Sequence, residues 1–197
     1  MIFFGDVDIA LKLASCGFLP ILCEILGVPQ DMAEFRRLAS LRNRAKKLGE
    51  SARADLTKFC DDCRPVDGAS DVGRHQELLN LGMDSGEALL FAEAEAVGGV
   101  VITGDKRAIS DYQKCSTPEQ RAKVKVVCWE MILLRINEMK GFEYLKTQCC
   151  SALECDKLLL LAFRKELATE ESHVLECLKS YLGGVEKHSG DILYKFT

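Results

Sequence analysis

A chain of 197 residues with 48% apolar residues can bury a sizeable core, and its net charge of −4 excludes a protein that holds nucleic acid by overall charge. Four prolines and no low-complexity tract argue against disorder. No apolar run reaches the roughly 18 residues of a membrane span, and Met1-Ile2-Phe3-Phe4-Gly5-Asp6 lacks the basic start of a signal peptide, so no membrane association and a cytoplasmic location are expected.

Residues 2–5 read as a first strand, followed at once by Asp6 and Asp8. From Ile9 the apolar period turns helical through Leu11, Leu13 and Ala14, then Leu19, Leu22, Ile25 and Leu26, with breaks at Gly17 and Pro20. Asp31 reads as the cap of a helix running to about Leu48, with Ala33, Leu38, Leu41, Ala45 and Leu48 inward. From Arg36 to Leu48 this stretch carries bases and no acid. At about 100° per residue, Arg36, Arg37, Arg44 and Lys47 share one quadrant. They are candidates for a phosphate-backbone contact, beside the plainer reading of a solvated face.

Residues 51–63 read as helical, and Arg64-Pro65-Val66 as an edge strand or turn, because proline is confined to sheet edges. A helix over 72–81 stops at Gly82, and Asp84 opens an Ala/Leu-rich helix that runs to Val97 and closes at Gly98-Gly99. Val100-Val101-Ile102-Thr103 is a β-branched run that reads as a strand buried on both faces. It ends in Gly104-Asp105, so a carboxylate sits at the strand's C-terminal edge, where open α/β sheets place their sites. A short helix after Lys106, a turn at Ser116-Thr117-Pro118 and a strand over 124–128 complete an α/β alternation.

Only helices follow from Glu130: over 130–140, over 142–152 and on through 161, and from 166 or 169 to 182, closed by Gly183-Gly184. The tail over 192–196 reads as an edge strand or a packed end. The expected division is an α/β domain over 1–132 and a helical extension over 133–197.

Ten cysteines sit mostly among apolar neighbours and read as free thiols. Cys60-Asp61-Asp62-Cys63 has the spacing of half a zinc site, but no second such pair and no paired histidines support it. His75, His173 and His188 lie outside every motif.

The acids carry the chemistry. Taken singly they are bland: Asp84 and Glu87 form a capping box, Asp105 caps the next helix, and Asp6 and Asp8 are turn residues. Taken together, Asp6 and Asp105 meet at one sheet edge if their strands are neighbours, with Glu87 on the helix that feeds the second strand. Three converging carboxylates repel one another unless a cation compensates. Hard oxygen donors suit Mg²⁺ or Mn²⁺, which can activate water at a phosphodiester.

In order and spacing, Ile2-Phe3-Phe4-Gly5-Asp6-Val7-Asp8 with its helix to residue 14, Asp84-Ser85-Gly86-Glu87 with its helix to residue 92, and residues 100–107 resemble three segments of the PIN-domain metal-dependent ribonucleases, especially small prokaryotic toxin-like members. The resemblance covers about residues 1–130. It implies a PIN-like three-layer α/β/α fold with a short parallel sheet, plus the helical C-terminal extension. It further implies Asp6, Glu87 and Asp105 around one or two Mg²⁺ or Mn²⁺ ions, cleaving single-stranded RNA with metal-activated water. Asp8 matches a position that would hold a water or a metal. Members often carry a fourth acid or amide shortly after the third; here Ala108 stands three residues past Asp105, and Asp111 is the nearest acid. Val7 stands where many members have Ser, Thr or Asn. Both departures weaken a second metal position. An antitoxin partner follows from the resemblance alone, and the helices beyond about 135 are left for dimerisation or a partner. Two alternatives stay open. A haloacid-dehalogenase-like phosphatase would use Asp6 and Asp8, although no Gly-Thr follows Asp8 and Glu87 has no job there. A PIN-like binding module would have lost catalysis.

Overall fold

The computed structural model describes residues 1–164 and 166–196. Five short strands, β1 (Ile2–Gly5), β2 (Glu34–Leu38), β3 (Arg64–Val66), β4 (Val100–Ile102) and β5 (Lys125–Val127), form one sheet in the order β3-β2-β1-β4-β5. Every neighbouring pair is parallel. The helices in chain order are α1 (Val7–Ser15), α2 (Leu22–Leu26), α3 (Leu41–Arg44), α4 (Glu50–Asp62), α5 (Val72–Asn80), α6 (Ser85–Val97), α7 (Lys106–Cys115), α8 (Pro118–Lys123), α9 (Trp129–Lys140), α10 (Phe142–Cys150), α11 (Lys157–Ala162) and α12 (Glu171–Ser189).

Successive strand residues alternate between two cores, as the period-two pleat requires. Phe3, Val100, Ile102 and Val127 face one core with Ile9 and Leu13 of α1, Leu41 of α3 and Leu56 of α4. Phe4, Val101 and Val126 face the other with Leu78 of α5, Ala88 and Phe91 of α6 and Ile109 of α7. The chain therefore runs outward from β1 to β3 with its helices on one face. It then returns past β1 to β4 and β5 with its helices on the opposite face. The strand order reverses between β1 and β4, which is the topological switch point of the sheet.

The helices beyond β5 share the first core. Trp129, Ile132, Leu133, Leu145, Leu158 and Leu159 are buried in it with Phe3 and Ile9, and the expected boundary after residue 132 falls inside α9. Along α12, Val174 and Leu178 belong to the first core and Val185 to the second. The tail makes a single parallel bridge on the free edge of β5: Val126 N donates to Ile192 O (2.8 Å) and Tyr194 N to Val126 O (2.9 Å).

Two expectations are corrected. Residues 31–48 are not one helix: β2 occupies 34–38, and only the short α3 and flanking 3₁₀ turns are helical. Pairing with β1 on one side and β3 on the other outweighs the helical period. As a strand requires, Arg36 and Arg37 diverge. Arg36 lies over the Phe4 ring at 5.5 Å and pairs with Glu34 at 2.7 Å. Arg37 is buried and donates to the carbonyl oxygens of Cys60 (3.2 Å) and Leu38 (3.3 Å). Arg44 and Lys47 are exposed on the turns beyond β2, so the four bases share no helix face.

The second correction concerns Gly183-Gly184, which do not close the last helix; α12 continues to Ser189 because the burial of Val185 and Ser189 rewards the extra turns. All ten cysteines are free, and no group of three or more His, Cys, Asp or Glu among the described residues is drawn together to hold a metal ion, which removes support from a zinc site at Cys60 and Cys63. Among the described residues no single helix is long and apolar enough to cross a membrane.

Candidate active site

β1 ends at Gly5, and Asp6 caps α1: its Oδ1 accepts from Val7 N at 2.6 Å. β4 ends at Ile102, and the turn that follows is held by buried Thr103, whose Oγ1 accepts from Asp105 N at 3.1 Å. Asp105 then caps α7, its Oδ1 accepting from Arg107 N (2.7 Å) and Ala108 N (3.1 Å). Each acid therefore uses Oδ1 to satisfy an orphan helix N–H, while Oδ2 takes no part in the cap.

Glu87 arrives from α6. Asp84 caps that helix through Gly86 N at 2.9 Å, but Glu87 does not reach back to close a capping box. Its carboxyl is buried in a cavity shared with Asp6 and Asp105. Glycines allow α6 this approach at both ends. A Cβ on Gly86 would stand 2.7 Å from Leu38 Cδ1, and one on Gly99 2.6 Å from Phe4 Cε2.

The cavity, about 410 Å³, is lined by Asp6, Asp8, Glu87, Gly104, Asp105, Lys106 and Arg107. It lies beyond the C-terminal ends of β1 and β4, at the switch point. Burial pushes the Asp6 carboxyl up to about 6, against the pull of the Val7 amide, and the charges of Asp8 and Asp105 push the same way. Burial pushes Glu87 up to about 8, helped by the charges of Asp105, Asp6 and Asp84 and by direct contact with the Asp105 carboxyl. Near neutral pH a proton on Glu87 thus does the compensating work that a cation would otherwise do. A larger cavity of about 790 Å³, walled by Leu22, Phe35 and Phe59, lies elsewhere.

The other expected site residues are placed differently. Asp8 lines the cavity, but its Oδ2 is 2.6 Å from Lys12 Nζ. Asp111 is outside the lining and faces Arg107 (3.6 Å) and Lys114 (3.9 Å) along α7. Arg36, Arg37, Arg44 and Lys47 are all absent from the lining. Residue spacing alone missed three neighbours of the acids. Lys12 joins Asp8 to Asp156, Lys106 pairs with buried Glu130 at 2.9 Å, and Arg107 stands exposed at the rim. The four-residue steps from Asp8 to Lys12 and from Arg107 to Asp111 leave a sequence signal, whereas the pairing of Lys106 with Glu130 and of Lys12 with Asp156 does not.

The donor chemistry of Asp6, Glu87 and Asp105 fits a hard divalent cation: three carboxylates around one cavity, Glu87 buried, Asp6 half-buried and Asp105 exposed, where a cation can take the place of the proton on Glu87. They share a cavity rather than forming a ready-made ligand shell. The chain matches no protein-family model, no curated protein and no solved structure.

Proposed function

We propose that this chain is a divalent-metal-dependent endoribonuclease of the PIN type, with single-stranded RNA as substrate. One observation carries the reading: Asp6, Glu87 and Asp105 come from three separate segments to one cavity at the switch point, where the Asp105 charge raises the cost of charge on Asp6 and on Glu87, and the Asp6 charge raises it further on Glu87. Asp6, Glu87 and Asp105 would hold the Mg²⁺ or Mn²⁺. When bound, such an ion supplies an activated water and stabilises the leaving oxygen of a phosphodiester. The protein's own part is positional. The caps of α1 and α7 fix Asp6 and Asp105, and the close packing of α6 fixes Glu87. Arg107 at the rim offers an exposed guanidinium to a phosphate of the strand being cut. Glu87 in the cavity favours this reading over the phosphatase, which gives that residue no task. An antitoxin or a second copy as partner, and a toxin role, stay part of the proposal by resemblance only.

The test is incubation of labelled single-stranded RNA with the protein, with and without Mg²⁺ or Mn²⁺, beside Asp6→Asn. Metal-dependent cleavage by the wild type that disappears in the variant is the expected result. Equal cleavage by both would refute the assignment.

A further inference from the structure

Lys12 stands behind Asp8, one of the acids that line the cavity, and the ligand chemistry of the site does not use it. Its Nζ lies 2.6 Å from Asp8 Oδ2 and 2.7 Å from Asp156 Oδ2, and its side chain is only 12% exposed. A Cβ on Gly104 would stand 3.4 Å from that same Nζ, so the ammonium sits between Asp8 and the turn that carries Asp105. Asp156 is itself fixed, because its Oδ1 caps α11 by accepting from Leu158 N (2.8 Å) and Leu159 N (3.3 Å). The lysine is therefore held from two sides. Burial alone would lower its pKa, but the bonds to Asp156 and Asp8 more than offset that and hold its pKa above the usual lysine range.

Building on the metal-dependent reading above, we infer that Lys12 is a built-in cation on the Asp8 side of the site, so that the cavity takes one divalent ion, at Asp6, Glu87 and Asp105, and not two. A second ion at Asp8 would have to displace a paired ammonium or sit beside it. Lys12 is thus a positioning residue. It neutralises Asp8, and through Asp156 it ties α11 to the edge where the acids meet.

The test is equilibrium Mn²⁺ binding to the full chain, followed by electron paramagnetic resonance. The wild type should bind one ion. Asp8→Asn should still bind one, with affinity within about threefold of wild type, whereas Asp105→Asn should weaken binding by at least about tenfold. Lys12→Met should bind two, and Lys12→Arg should return to one. Two ions on the wild type, or a loss of about tenfold or more in Asp8→Asn, would overturn the role of Lys12 while leaving the metal site standing. A Lys12→Met protein that stays folded by circular dichroism and still binds one ion would also overturn it. If Lys12→Met does not fold, the wild-type and Asp8→Asn titrations decide. No Mn²⁺ binding by the wild type would instead remove the metal-dependent reading itself, and this inference with it.

Discussion

The Asp6 amide donates to the carbonyl oxygen of Ile102 across 3.0 Å. The acid after β1 and the turn after β4 therefore leave the sheet from one hydrogen-bonded rung, although almost a hundred residues separate them. Because the strands are parallel, both helices that follow start at this edge. Their first-turn N–H groups orient the two carboxylates without consuming both oxygens of either.

Asp6→Asn and Asp105→Asn should separate catalysis from folding. Asparagine caps a helix about as well as aspartate, so both variants should melt within a few degrees of wild type. Metal-dependent RNA cleavage should fall by about 100-fold or more, as when a preorganised electrostatic group is removed from an active site. Thermal melts beside a cleavage assay check both halves.

Glu87→Gln should stabilise the metal-free protein at alkaline pH. The folded-state pKa of Glu87 is raised from 4.5 to about 8, so its contribution to stability is fully present below 4.5 and is lost as pH rises through about 8. Glutamine has no charge to bury. The variant's advantage should therefore grow from about pH 5 and level off above about pH 8. A tenfold change in proton affinity corresponds to about 1.4 kcal/mol, so the rise from 4.5 to about 8 puts the gain at several kcal/mol at pH 8, with about 2–4 °C in melting temperature for each kcal/mol in a chain of this size. A melting series at pH 5 and pH 8 with chelator present measures it.

Divalent-ion binding should release protons. With Glu87 titrating near 8 and Asp6 near 6, the site at pH 7 carries a proton chiefly on Glu87, which a cation must displace. About one proton should leave per ion, and affinity should climb by close to tenfold per pH unit between about 6 and 8 before flattening. Titration calorimetry in two buffers of different ionisation heat reads the proton count directly.

Two glycine substitutions should move stability in opposite directions. In Gly99→Ala the new Cβ would stand 2.6 Å from Phe4 Cε2 and 3.2 Å from the Ile2 carbonyl oxygen, so the α6–β4 turn must shift. The expected cost of this overpacking is about 1–3 kcal/mol. Gly184→Ala lies inside α12 with nothing within 4 Å of its Cβ and no positive φ, and should gain about 0.5–1 kcal/mol. Chemical denaturation of both variants checks the contrast.

Local signals in the chain were enough for much of this molecule. The β-branched run at Val100–Ile102 needs two buried faces, and it has them. Pro65 belongs at a sheet edge, and β3 is one. Asp84 and Asp105 cap helices, as their positions ahead of apolar periods required. These features depend on backbone geometry within a few residues, which is what sequence spacing records.

What the tertiary structure decided depends on contacts between distant segments. Arg36 and Arg37 look helical by charge, yet they form a strand because β1 and β3 complete their backbone bonds and Cys60 and Glu34 answer their guanidinium groups. Gly183-Gly184 look like a stop, yet the helix continues because the second core rewards the burial of Val185. Helix spacing sets Lys12 beside Asp8, but its second hold comes from Asp156, a distant residue that only the tertiary structure brings to it. The acids themselves were visible in the sequence. That they share one cavity follows from the strand order, since only a sheet with β4 beside β1 brings Asp105 to Asp6, and a short-range pattern carries no record of which strands become neighbours.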